Sequence, residues 1–363
     1  MSNVKILGIW FSQAKESTPV KKREILYSHK SFEEIYNSFK TETWNKDVSE
    51  AEKIYEKCFE AGINVLGFYD DFYPPLLRKI PDPPPVLYKK GLDIDYRKYP
   101  LAGVVGSRLV SDYGKGATQK ISRELSQCGF IVVSGMAAGV DGIAHRSVIS
   151  RNGLTVAVLG CGADIIYPLE NTDVYEKLCE NGAILTEYPP GEKPTKTSFP
   201  KRNRIISGMS HAIVVTEARF KSGSLITANT ANKQKRKVFA VPQNINSPYG
   251  QGTNEILKTF ATVITEGNDV YKYYKANESE IITEDAPLPK PRKKETVKPK
   301  EKPVLLNVDE RRIIEILKGD IKSVDELCEK TGFSMSKVVA LMTMLEIKGV
   351  VYSVMGNSYG LKL

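Results

Sequence analysis

The run Leu101-Ala102-Gly103-Val104-Val105-Gly106-Ser107-Arg108 is five small or apolar residues ending in a glycine turn, and a polar, helix-forming stretch follows over 114–127. It reads as strand, turn and helix. The same unit recurs downstream. Strands are expected at 101–105, 130–133, 154–159, 183–185, 212–215, 238–241 and 262–264, with helices between them at 114–127, 141–151, 173–180, 224–233 and 268–274. Each strand is continuously apolar rather than alternating, as strands covered by helices on both faces require. The pattern predicts an α/β domain with a Rossmann-like, doubly wound, mostly parallel sheet over 96–274. Ligands of such sheets sit beyond the strand carboxyl ends.

Working outward, residues 1–95 begin helix-rich and end proline-dense (Tyr73-Pro74-Pro75, then Pro81-Asp82-Pro83-Pro84-Pro85). They predict a small helical domain of the SAM-like or helix-hairpin-helix-like kind with a stiff connector. Residues 275–303 hold five prolines, many charges and no aromatic residue, the composition of a flexible linker. Over 304–363, three helical stretches and a hairpin around Gly356-Asn357 predict a winged-helix domain. Its eight basic and eight acidic residues cancel, which argues against strong duplex binding by this module alone.

The 363 residues suffice for two or three domains, and 41% hydrophobic with 26% charged residues is an ordinary globular balance. The apolar run 6–11 is too short for a signal-peptide core or a bilayer span, so a cytoplasmic protein without membrane attachment is expected. Five scattered cysteines and three distant histidines form no metal-ligand spacing. Asp141 and His145, four apart on one helical face, read as a capping carboxylate and a structural imidazole. No metal, cofactor or catalytic residue is expected.

The net charge of +9 is concentrated. Segment 201–237 holds nine cations against Glu217 alone. A focused positive field attracts polyanions, nucleic acid first. Within it, Lys201, Arg202 and Arg204 surround Asn203 ahead of a short helix, and Ser222-Gly223-Ser224 opens another, with Thr227 one turn on. Ser107 and Arg108 occupy the first strand's turn. Hydroxyls, helix-start N–H groups and cations together make a phosphate cradle. Tyr167, Phe199, Phe220 and Tyr249 are candidate base platforms, and Glu217 is expected to pair with Arg202 or Arg219.

The succession GSR (106–108), SGMAAGVD (134–141), LGCGADIIYPLEN (159–171), TEYPPG (186–191), FPKRNRIISG (199–208), SGSLIT (222–227) and VFAVP (238–242) resembles the bacterial DNA-processing family DprA, also called Smf. The resemblance implies a non-enzymatic protein that binds and protects single-stranded DNA and loads the RecA recombinase onto it during natural transformation. It also implies a homodimer, and a single-stranded DNA-binding protein as a further partner. By position, Ser107, Arg108, Lys201, Arg202, Asn203, Arg204, Ser222, Gly223, Ser224 and Thr227 would contact DNA. The chain departs from the family at Leu169-Glu170, where some members carry a DNA-contacting lysine, and at Gln243, where glycine is usual. From the residues alone, two alternatives stay open. One is a Rossmann-type sensor or processor of nucleotides. The other is a transcription factor led by the winged helix.

Overall fold

The computed structural model describes residues 2–39, 44–277, 308–317, 321–347, 350–354 and 358–361, in two units, 1–287 and 288–363. In the first unit the elements are α1 (Ser2–Gln13), α2 (Pro19–Ser28), α3 (Phe32–Ser38), α4 (Ser49–Glu60), β1 (Asn64–Gly67), α5 (Pro75–Arg78), β2 (Val86–Gly91), β3 (Leu101–Val105), α6 (Asp112–Gln127), β4 (Ile131–Ser134), α7 (Val140–Ile149), β5 (Thr155–Val158), α8 (Thr172–Asn181), β6 (Ala183–Thr186), α9 (Ser198–Met209), β7 (Ala212–Val215), α10 (Gly223–Lys233), β8 (Lys237–Ala240), α11 (Gln251–Leu257), β9 (Thr262–Val263) and α12 (Gly267–Ala276). The strand order is β1-β2-β6-β5-β4-β3-β7-β8-β9, parallel from β6 to β9.

The expected strands are all present, and successive residues of β3 serve opposite faces as a pleat demands. Ala102 and Val104 pack with Ile121, Leu125, Val140 and Ala144 of α6 and α7. Leu101 and Val105 pack in the other layer with Ile205, Ile206 and Met209 of α9. The chain reverses direction across the sheet at β3, whose neighbours are β4 and β7. Their carboxyl ends splay there and open a cleft.

Residues 1–95 differ from expectation. They contribute two strands: β1 pairs with β2, and β2 runs antiparallel to β6, with Tyr88 opposite Thr186 and Gly91 opposite Ala183. The sheet therefore crosses the boundary expected at residue 95, and Trp10, Phe32, Leu77 and Tyr88 share one core with β5 and β6. The proline stretch folds against this core, with Tyr73 buried and its hydroxyl donating to the Pro84 carbonyl at 2.7 Å. Most of the linker expected at 275–303, namely 278–303, lies outside the described residues, and 275–276 instead close α12.

The second unit holds α13 (Val308–Leu317), β10 (Lys322–Ser323), α14 (Val324–Thr331), α15 (Met335–Ile347), β11 (Val351–Val354) and β12 (Ser358–Leu361). Ile313, Leu327, Val338, Met342 and Val351 form its core. A third strand joins the expected hairpin, since β10 pairs with β12. The expected turn at Gly356-Asn357 lies outside the described residues. No helix among the described residues is long and apolar enough to cross a membrane.

Candidate functional site

A cleft of about 600 Å³ lies at the carboxyl ends of β3 and β7. The turn after β3 forms its first wall, held from behind by backbone bonds from Ser107 N–H to the Glu217 carbonyl (2.8 Å) and from Val140 N–H to the Ser107 carbonyl (3.1 Å). The turn and the glycine loop touch so closely that a side chain at Gly139, whose φ is +76°, would meet the Ser107 and Arg108 carbonyls within 2.5 Å. Only glycine fits there. Arg108 extends from this wall into solvent, its guanidinium 5.0 Å from the Phe199 ring centroid, and Phe199 in turn packs 5.6 Å from Tyr167.

The opposite wall is the start of α10. Ser222 precedes the helix without capping it, and its hydroxyl lies 2.8 Å from that of Ser224. No atom stands within 4 Å of where a Gly223 side chain would be, so the backbone is open to a ligand. Thr227 lies one turn along on the cleft floor. Arg219 lines the same wall, its guanidinium 4.3 Å above the Tyr249 ring.

The expected basic cluster is divided. Lys201, Arg202, Asn203 and Arg204 lie within α9 rather than ahead of it, so successive side chains point about 100° apart. Arg202 and Asn203 reach the cleft, whereas Lys201 and Arg204 line a separate pocket beside the proline stretch. Arg204 is clasped there by Asp82 (2.8 Å) and Glu187 (2.5 Å). Burial pushes both carboxyls up, and Arg204 pulls them back. The expectation that Lys201 and Arg204 form a rim of the cleft is thus corrected.

Arg202 is only 3% exposed. It donates to the Val158 carbonyl and packs so tightly on the glycine loop that a side chain at Gly135 would stand 1.8 Å from its Nη1. Burial draws its pKa down and raises that of Asp141, each partly restored by the other's charge. Asp141 accepts the Gly135 and Ala137 N–H groups at 3.2 and 3.3 Å, tying the glycine loop to α7. Ser107 turns its hydroxyl inward to the Leu109 carbonyl, so the wall's contribution to the cleft is its backbone and Arg108.

Glu217 does not pair with Arg202 or Arg219 as expected. It is buried, and accepts the backbone N–H (2.8 Å) and hydroxyl of Ser111, fixing the start of α6. His145 is structural: its Nδ1 lies 2.7 Å from the Thr155 hydroxyl, and burial lowers its pKa to about 3. Gln243 fills its loop, with N–H groups bonded to Asn254 and the Thr216 carbonyl. No group of three or more His, Cys, Asp or Glu among the described residues could hold a metal. Arg219 and Lys196 are cleft residues that sequence reasoning did not place in the site. Arg219 was visible only as part of the basic segment, and Lys196 carried no signal.

The chain is similar to known proteins. A family model described as DNA recombination-mediator protein A covers residues 64–275, and one described as the DprA winged helix domain covers 297–357. The chain belongs to the DprA family. Protein Smf of Synechocystis is 46% identical over 205 residues, which span 55% of this DprA-family chain and 51% of that relative. The structure of DNA processing protein A from Streptococcus pneumoniae aligns at a TM-score of 0.58 and 33% identity, over 70% of this chain and 86% of that one. DNA processing protein A from Helicobacter pylori, solved for its single-stranded DNA binding mode, aligns at 0.54 and 32% identity, over 59% and 96%.

Proposed function

We propose that this DprA-family chain binds single-stranded DNA in the cleft between Arg108 and the α10 start. The observation that carries the reading is a pair of guanidinium groups lining one cleft, each with one donor unpaired. Nε of Arg202 and of Arg219 are buried at the cleft without a hydrogen-bond partner in the protein, beside the open backbone of Gly223. Guanidinium groups beside an open helix start suit a phosphate. Arg108, Phe199 and Tyr167 give the cleft the mixed cationic and aromatic lining that suits unpaired strands. The solved Helicobacter relative supports the choice of single strands.

In this reading Ser222, Gly223, Ser224, Thr227 and Asn203 shape the phosphate seat, and Arg108 guides the strand. The protein acts without catalysis, as a cytoplasmic homodimer that shields incoming strands and hands them to a RecA-type recombinase during natural transformation, with a single-stranded DNA-binding protein as a further partner. The test is fluorescence anisotropy with single-stranded and duplex oligonucleotides over a salt series. Arg108→Ala should weaken binding to every sequence alike and flatten the log–log salt slope by about 0.7, the value for one lost phosphate contact on a single strand. An unchanged slope removes Arg108 from the site. Tight binding of a free mononucleotide with no preference for single strands would instead favour a nucleotide sensor.

A further inference from the structure

Of the four candidate aromatic platforms, three are engaged within the protein: Phe199 between Arg108 and Tyr167, and Tyr249 beneath Arg219. Phe220 is displayed differently. It is 62% exposed and stands on a tight turn that the Ser222 N–H closes onto the Arg219 carbonyl at 3.2 Å. Lys221, next in the turn, has a φ of +59°, in the left-handed region that side chains other than glycine and asparagine seldom adopt. The base of the turn is pinned by the Gly252 N–H to the Ala218 carbonyl at 2.8 Å. The two residues that bracket Phe220 and Lys221, Arg219 and Ser222, both line the cleft.

Each of these features disfavours the free protein. An aromatic face left in water forgoes the stabilisation of burial, and a left-handed lysine is strained. The first cost is recovered once a flat apolar surface covers the ring. Lys221 Nζ, 5.6 Å from the ring centroid, adds a cation suited to the next phosphate.

We propose that Phe220 is a base-stacking residue, taking the unpaired nucleobase next to the nucleotide whose phosphate sits between Arg219 and the α10 start. This rests on the single-strand reading above and adds a subsite to it. With the turn fixed and the ring flat, the contact is indifferent to base identity, because every base has a π-face.

The experiment compares the full chain with Phe220→Ala and Phe220→Trp, using oligothymidine and an abasic deoxyribose-phosphate strand of equal length. Phe220→Ala should weaken oligothymidine binding roughly 5- to 150-fold, the range for loss of one stacked base, and leave abasic-strand binding unchanged. Phe220→Trp should restore affinity, and oligothymidine should quench the new indole emission. Equal loss on both strands, or loss on neither, overturns the proposal. If the unaltered chain binds neither strand, the single-strand reading itself fails and the subsite falls with it. A protein partner inserting at Phe220 would show as unaltered DNA binding by all three chains.

Discussion

Arg202 shows how a cleft lining and a core can share one side chain. Its guanidinium is at once the cleft's floor, the partner of the Val158 carbonyl and the cation that faces Asp141. Arg202→Ala should therefore cost stability on the order of 3 kcal/mol, because it leaves a buried carboxylate without its cation. The effect should depend on pH. Burial already raises the Asp141 pKa in the folded state above its unfolded value, so the folded form holds the extra proton and stability falls as pH rises between the two. Removing Arg202 raises the folded value further. The variant's deficit in urea unfolding should be greatest at neutral pH and shrink as pH falls through the folded pKa. A deficit independent of pH would show that packing, not charge, sets the loss. The sequence identified Arg202 as a cation of the site, but its burial was not legible there. That depends on Gly135, 67 residues away, leaving room for the guanidinium.

At the scale of elements, α9 explains why four adjacent polar residues do not act together. Written in a line, Lys201 to Arg204 look like one cluster. Wound into a helix they face two pockets, and Arg204 joins the proline stretch to the end of β6 through Asp82 and Glu187. Arg204→Ala should loosen the segment 73–91 and leave the salt slope of DNA binding as it is. Faster hydrogen exchange there, with an unflattened slope beside that of Arg108→Ala, is the expected pair of results. A flattened slope would return Arg204 to the cleft. The central strands were readable from composition because helices cover both faces. The turns on either side of the cleft were readable from glycine and serine. The start of α9 was not, since Pro200 and the cluster of charges disguised a helix whose buried face begins with Ser198 and Arg202.

For the whole molecule, the missing pieces of the sequence reading are long-range pairings. Strands β1 and β2 lie among helices and prolines, and β2 runs on from Val86-Leu87-Tyr88 into Lys89-Lys90-Gly91, so it lacks the continuous apolar run of the central strands. Their existence is decided by β6, nearly a hundred residues further on. The winged-helix unit was legible as a unit because its helices close a core of their own. On its third helix, α15, Lys337 is committed to Asp309 at 2.8 Å, and Met335, Val339 and Met344 are exposed. That leaves a face short of cations, in keeping with the neutral charge read from its sequence.

The antiparallel seam between β2 and β6 also bears on how the gene can be cut. A chain started at residue 96 would retain every cleft side chain, yet it would present β6 as a raw border of N–H and C=O groups flanked by apolar side chains. Such a fragment should associate edge to edge and come out of solution at concentrations where the intact chain stays dispersed, as light scattering would record. A fragment that remained monodisperse would show that the border is shielded some other way. The first ninety-odd residues thus serve the cleft-bearing sheet as a hem, keeping its fabric from unravelling into its neighbours.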